Sequence, residues 1–302
     1  MRNRFIDELI KAAEINEKIV LVVGDLGYGV VEPFAEKFPD RFFNSGVAEQ
    51  NMMGFSAGLA SEGHHVFVYS IANFPLFRCA EQIRNDVDYH KLSVTVVSVG
   101  GGLAYGNLGY SHHAVQDYAF IRSLPNFKIL SPGDPNEVQN CLQQICRNSG
   151  PSYLRLGKTG EKNYSSEALN LQPGILNQII KVDDSKTALI VTGAILQDVM
   201  QYYKNINNLN FDIYSCPIWG MNEKSKIENQ LSHYDRLVSV EDHLEDAGFG
   251  SWIMEALKPL SRSKLRIVGL KKEICGMVAS QSILNKQGGI SKENIDIALN
   301  GN

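Results

Sequence analysis

Short unbroken apolar runs, separated by stretches long enough for a helix, constrain the fold of this chain more than any other feature. KIVLVVGD at 18–25, HHVFVYS at 64–70 and LSVTVVSVG at 92–100 are too continuously apolar for half-exposed strands. Such runs, bounded by turn signals, suit strands buried on both faces. Helical periodicity falls between them, at residues 5–15, 48–61 and 76–90. FKILSP at 127–132, a helix over 136–147 and SYLRL at 152–156 continue the alternation. Strands alternating with helices specify a mainly parallel sheet covered by helices, an α/β fold.

The pattern pauses over residues 158–185, which are polar and lack strong periodicity, and then resumes. TALIVTG, FDIYSC, RLVSVED and LRIVGL read as strands, with helices near 195–205 and 247–258. This predicts a first domain at 1–160 and a smaller second α/β domain at 186–302. A linker at 161–185 joins them and includes the first edge of the second domain. A chain of 302 residues accommodates two domains of that kind.

A net charge of −4 gives no reason to expect a nucleic-acid or membrane partner. No apolar run approaches bilayer-spanning length. The N-terminal MRNRFIDELIKAAEIN reads as an amphipathic helix rather than a leader peptide. The five cysteines, Cys79, Cys141, Cys146, Cys216 and Cys275, include no C-x-x-C pair. A reducing, cytoplasmic setting with buried thiols fits them best.

Three stretches are candidates for chemistry. In NSGVAEQNMMGFSAGLA, Glu49 opens a helix of small and apolar residues. Favourable placement at a helix N-terminus explains it in an ordinary helix. The alternative is a buried carboxyl group that shares a proton with a ligand. In YSIANFPLFRCAEQIRNDVDY, Phe74 and Phe77 stand three residues apart, so one helical turn sets them side by side. They are core, or they are an apolar platform for a ligand ring. Pro75 puts Phe74 at the helix start, where a side chain can project into a cleft. Arg78 and Arg84 are solvated, or they meet a partner.

In VGGGLAYGNLGYSHHAVQD, the glycines do not complete a dinucleotide fingerprint, because Tyr105 occupies the last glycine position. His112 and His113 close this loop at the end of a predicted parallel strand, where clefts form. No third metal ligand stands at suitable spacing, so no zinc site and no other metal site is expected in this chain.

The order of these motifs carries a resemblance. Gly-Val-Ala-Glu-Gln-Asn at 46–51 is followed by Phe-Arg-x-x-Glu-Gln-Ile-Arg-Asn-Asp-Val at 77–87 and Ser-His-His at 111–113. Arg-Ser-Leu-Pro-Asn at 122–126 and Ser-Pro-Gly-Asp-Pro at 131–135 come next. This series resembles the pyrimidine-binding domain of transketolases. Val-Thr-Gly at 191–193 and Val-Ser-Val-Glu-Asp-His at 238–243 resemble the transketolase C-terminal domain. The Gly-Asp-Gly…Asn motif that binds diphosphate and Mg²⁺ in that family is missing, since Gly24-Asp25 runs into Leu26. The resemblance is therefore to the C-terminal subunit of a split, two-chain transketolase.

It implies thiamine diphosphate as cofactor, with Mg²⁺ held mainly by a separate N-terminal subunit, and an α₂β₂ assembly. It implies that Glu49 hydrogen-bonds N1′ of the aminopyrimidine and favours the imino tautomer that deprotonates thiazolium C2. Phe74, or secondarily Phe77, stacks on the pyrimidine. His112 contacts the donor-derived intermediate, with His113 one position beyond. Arg2, Arg155 and Lys158 fall near positions that bind substrate phosphate. The implied reaction transfers a two-carbon ketol unit from a ketose to an aldose.

The chain also departs from the family. Leu108 stands where an Asp reads the acceptor hydroxyl, and Gly100 where a second substrate histidine is found. A site lacking those partners makes a different choice of substrate, such as a modified or unphosphorylated sugar. Glu241, Asp242 and His243 are expected to cap and pack rather than react. Three rival readings are a 2-oxo-acid dehydrogenase beta chain, a 1-deoxyxylulose-phosphate synthase and a catalytically silent scaffold subunit.

Overall fold

The computed structural model describes residues 1–302 apart from 159, 207 and 302. Among the described residues, twelve strands form two sheets. They are β1 Ile19–Val23, β2 Phe42–Asn44, β3 His65–Ile71, β4 Val94–Val99, β5 Lys128–Leu130, β6 Ser152–Leu156, β7 Asn177–Ile180, β8 Thr187–Val191, β9 Asp212–Ser215, β10 Ile218–Gly220, β11 Arg236–Leu244 and β12 Leu265–Leu270. The first sheet has the order β10-β5-β6-β4-β3-β1-β2, and the second β12-β11-β8-β9-β7. All pairings are parallel except β10 with β5 and β7 with β9. The fold is α/β with two mainly parallel sheets, as the alternation predicts.

The unbroken apolar runs are explained by burial on both faces. Along β1 and β3, Val20, Val22, Val66 and Val68 point to one core, while Ile19, Leu21, Val23, Phe67 and Tyr69 point to the other. The helices Arg2–Ile15 and Pro135–Arg147 cover the second of these faces through Phe5, Leu9, Val138 and Leu142. The helix Glu49–Ser61 covers the first through Met52 and Met53. That same core runs on into the second domain, where it takes in Trp219, Phe249 and Trp252.

Four details differ from, or add to, the sequence-based expectation. Residues 76–90 do not form one helix. They fold as a turn of α-helix at Phe74–Phe77, another at Ala80–Gln82 and a π-helix at Ile83–Asp88. Cys79, at φ −121° and ψ 30°, breaks the run. The polar segment at 161–185 carries β7 and lies against the first domain through buried Leu171. β10, from the sequence of the second domain, completes the first sheet beside β5. The C-terminus adds two helices, Gln281–Gly288 and Lys292–Asn300, against the second sheet.

The junction between the domains is polar as well as apolar. The buried Glu137 carboxylate accepts from Gly133 N (2.7 Å), Asn177 Nδ2 (2.7 Å) and Ser215 Oγ (2.9 Å). Asp134 caps the helix Pro135–Arg147 through Glu137 N, and its other oxygen accepts from the amides of Tyr164 and Ser165.

Candidate active site at the carboxyl ends of the first sheet

Parallel sheets gather their loops, and with them their ligands, beyond the carboxyl ends of the strands. The segments after β2, β3, β4 and β6 meet there, and they carry Glu49, Phe74, His112 and Lys158. After β2, Gly46 adopts a left-handed φ of +66°, which turns the chain into the helix that Glu49 opens. The preceding Ala48 provides no side-chain cap. Glu49 thus stands in the first turn, where a helix favours negative charge, and its side chain is only 5% exposed.

Arg78 Nη1 donates to Glu49 Oε1 at 2.7 Å. Its guanidinium carbon also lies 4.4 Å from the centre of the Phe74 ring. Phe74 meets His112 edge-on at 5.2 Å. Ser111 Oγ is 3.0 Å from His112 Nδ1. On the far side of His112 stands Tyr105, with ring centres 6.4 Å apart. Lys158 Nζ lies 4.8 Å from the Tyr105 ring centre. The Arg2 charge acts on both Tyr69 and Tyr105, opposing the burial that raises their hydroxyl pKa. The result is one continuous line from a buried carboxylate, past an aromatic face and an imidazole, to two cations.

Not every candidate joins this line. Phe77 is 47% exposed and leans toward Phe120, with ring centres 6.3 Å apart. The structure therefore separates it from Phe74, and Phe74 alone of the pair faces His112. His113 is fully buried, with Nε2 3.4 Å from the Gly106 carbonyl. Its own carbonyl accepts from Asn73 Nδ2, which ties the histidine loop to the Phe74 segment. An imidazole so enclosed does not present itself to a substrate.

Arg155 requires a correction. It is 2% exposed and pairs with Asp117 at 2.7 Å and with Asp242. It also donates to the carbonyls of Ala114 and Asp242. Every arm of its guanidinium is engaged, so no donor remains for a substrate phosphate. Its place is structural: it binds the loop after His113 to β11 of the second domain. Glu241 accepts from the amides of Phe249 and Gly250 and caps the helix that they begin. His243 is buried against Tyr118, and burial lowers its pKa to about 4. Burial, reinforced by the Glu49 charge, pushes the Cys79 thiol up to about 12, so it stays protonated beside the site.

Gly100 has a structural reason to lack a side chain. Its φ is +80°, and a β-carbon there would collide with the Tyr105 ring. Tyr105 fills the room that a residue at 100 would need, and it supports Lys158. In the sequence, Tyr105 stands out only as the residue that breaks a glycine pattern, and Arg78 carries no assigned role. The spacing of Arg78 from Phe74, one helical turn, is the signal for stacking that the sequence does hold. Among the described residues, no three His, Cys, Asp or Glu side chains group as metal ligands.

The model of the transketolase pyrimidine-binding domain matches residues 1–161. A putative transketolase C-terminal section from Methanocaldococcus jannaschii is 32% identical over 300 residues, covering 98% of this chain and 93% of that protein. An apulose-4-phosphate transketolase subunit of Phocaeicola vulgatus is 30% identical over 280 residues, covering 90% of this chain and 88% of that protein. A solved structure of a split-gene transketolase, an inactive β4 tetramer, superposes with a TM-score of 0.83 at 26% identity, over 99% of this chain and 97% of that one. With its motifs, its two sheets and these relatives in agreement, this chain belongs to the thiamine diphosphate-dependent transketolase family, where it corresponds to the C-terminal section of a split transketolase.

Proposed function

We propose that this chain is the pyrimidine-binding subunit of a two-chain transketolase that moves a two-carbon ketol unit from a ketose to an aldose. The observation that supports this reading is the run of contacts from buried Glu49 through Arg78 to Phe74 and on to His112. The residues fit an aminopyrimidine: Glu49 and Phe74 already hold a planar N–H donor between them, the Arg78 guanidinium. Thiamine diphosphate, when bound, supplies a thiazolium that serves as electron sink.

The residues of this chain do the rest. Glu49 Oε1 binds the ring N–H and holds its proton, in a position shielded from water. Phe74 offers the ring a flat apolar face. Ser111 engages His112 Nδ1, which leaves Nε2 to move a proton at a sugar hydroxyl. Arg2 and Lys158 supply cationic donors for an anionic group on the substrate. Leu108, 56% exposed, offers no hydrogen bond to an acceptor hydroxyl, so that hydroxyl does not govern the choice of acceptor here.

The diphosphate and Mg²⁺ fall to a separate N-terminal subunit, in an α₂β₂ assembly in a reducing, cytoplasmic setting. The related chain that forms an inactive β4 tetramer supports this need for a second subunit. The test is ketol transfer by the chain alone and mixed with its candidate partner, with thiamine diphosphate and Mg²⁺ present. Activity is expected only in the mixture, and Glu49→Ala should lower it by roughly 100-fold or more. Consumption of a 2-oxo acid instead would favour the dehydrogenase reading, and full activity of the chain alone would overturn the two-chain proposal.

A further inference from the structure

Arg78 lies outside the roles assigned so far, yet it touches two of the site's main groups. Its guanidinium donates to Glu49 Oε1 at 2.7 Å and stacks 4.4 Å from the Phe74 ring centre. Among the described residues it is the only hydrogen-bond partner of the Glu49 carboxylate. Arg78 is 49% exposed while Glu49 is 5% exposed, so of the two groups the guanidinium lies toward solvent. A guanidinium is flat, carries N–H donors in its plane and stacks on aromatic faces. A neutral aminopyrimidine shares these properties through its in-plane amino group and its flat ring.

We infer that Arg78 is a built-in surrogate for the cofactor ring, and that ring and guanidinium exclude one another from Glu49 and Phe74. The inference rests on the aminopyrimidine reading of this site. Arg78 satisfies the buried carboxylate when no ring is present, and it must swing out before a ring can take its place. Its half-exposed side chain has the room to do so. Arg78 therefore acts as a gating residue that weakens ring binding to this chain on its own.

The test is calorimetric titration of the full chain with 4-amino-2-methylpyrimidine, a neutral ring that removes any bulk charge effect. Arg78→Met keeps the length of the stem and deletes the donors and the charge. It should bind the ring roughly fivefold more tightly than wild type, which corresponds to about 1 kcal/mol for displacing a half-exposed ion pair. Arg78→Lys, which cannot stack and fork in the same way, should fall between them. Adding Glu49→Gln to Arg78→Met should cancel the gain. Thermal melting confirms that each variant is folded, and Arg78→Gln replaces Arg78→Met if the latter is not. A merely structural role would loosen binding on mutation, not tighten it. Unchanged or weaker binding in Arg78→Met, with binding still dependent on Glu49, overturns the gate and leaves the reading of the site intact. Absence of binding in every variant, or binding indifferent to Glu49, overturns both.

Discussion

Glu49 and Arg155 are both buried, and their settings differ. Among the described residues Glu49 has a single ionic contact, with the half-exposed Arg78. Arg155 is enclosed by Asp117, Asp242, Tyr118 and the Ala114 carbonyl. Arg155→Met should leave two buried carboxylates without their cation, lowering stability by about 3–5 kcal/mol in urea titrations. Arg155→Lys should not restore it, because a point charge cannot reproduce the fork. The expected signature is a lower denaturation midpoint rather than a raised KM. Gly100→His should destabilise by roughly 1–3 kcal/mol, since the position combines a left-handed φ with the Tyr105 ring. Thermal unfolding checks it, and a gain of affinity for substrate phosphate would refute this account of Tyr105. Glu49 was legible in the sequence because an acidic residue at the head of a small, apolar helix is conspicuous. The burial of Arg155 was not, because its partners at 117 and 242 come from a different loop and a different domain.

Secondary-structure elements carry their own titrations. His65, on β3, stacks on Phe67 and sits 3.2 Å from Thr95 Oγ1, and burial lowers its pKa to about 4. His243, on β11, is held down to about 4 by the same cause. The folded chain keeps both rings neutral to about pH 4, whereas an unfolded histidine takes a proton near its ordinary value of about 6.5. Each ring should therefore withdraw on the order of 3 kcal/mol of stability as pH drops to the lower end of that window, while Glu137 and Glu241, whose carboxyls burial pushes up to about 7 and about 8, add stability over the same range. Urea titrations of wild type and His65→Asn at stepped pH isolate the His65 contribution: the variant should gain stability relative to wild type as pH drops from about 6.5 to about 4. Asp134 serves two elements, one oxygen for the helix Pro135–Arg147 and one for the amides at 164 and 165. Asp134→Ala should cost about 1–2 kcal/mol and open the segment after residue 160 to proteolysis. The long strands were legible because burial on both faces leaves an unbroken apolar run. β2, β7 and β10 were not, because three or four residues at a sheet edge carry no period of their own.

At the scale of the whole molecule, the two domains share material as well as a boundary. Tyr118 of the first domain meets Trp219 of the second edge-on at 5.0 Å, and Trp219 packs on Phe249 and Trp252. Trp219 Nε1 donates to Thr192 Oγ1, and Trp252 Nε1 donates to the Gly220 carbonyl, so both indoles are satisfied inside this cluster. A fragment ending at residue 185 would lose β10 and this aromatic cover together. It should bind hydrophobic dye and aggregate, as gel filtration will show, although its sequence contains a complete run of sheet strands.

The position of β10 also sets a timetable. During synthesis the ribosome delivers β5 and β6 long before it delivers the strand that closes the edge of β5. At ~5–20 residues per second that edge stays bare for on the order of ten seconds. Over that interval the nascent chain presents an open template to neighbouring nascent chains on the same message. Any slowing of translation between β6 and β10 lengthens the interval, so the yield of folded protein depends on the pace at which the chain is made.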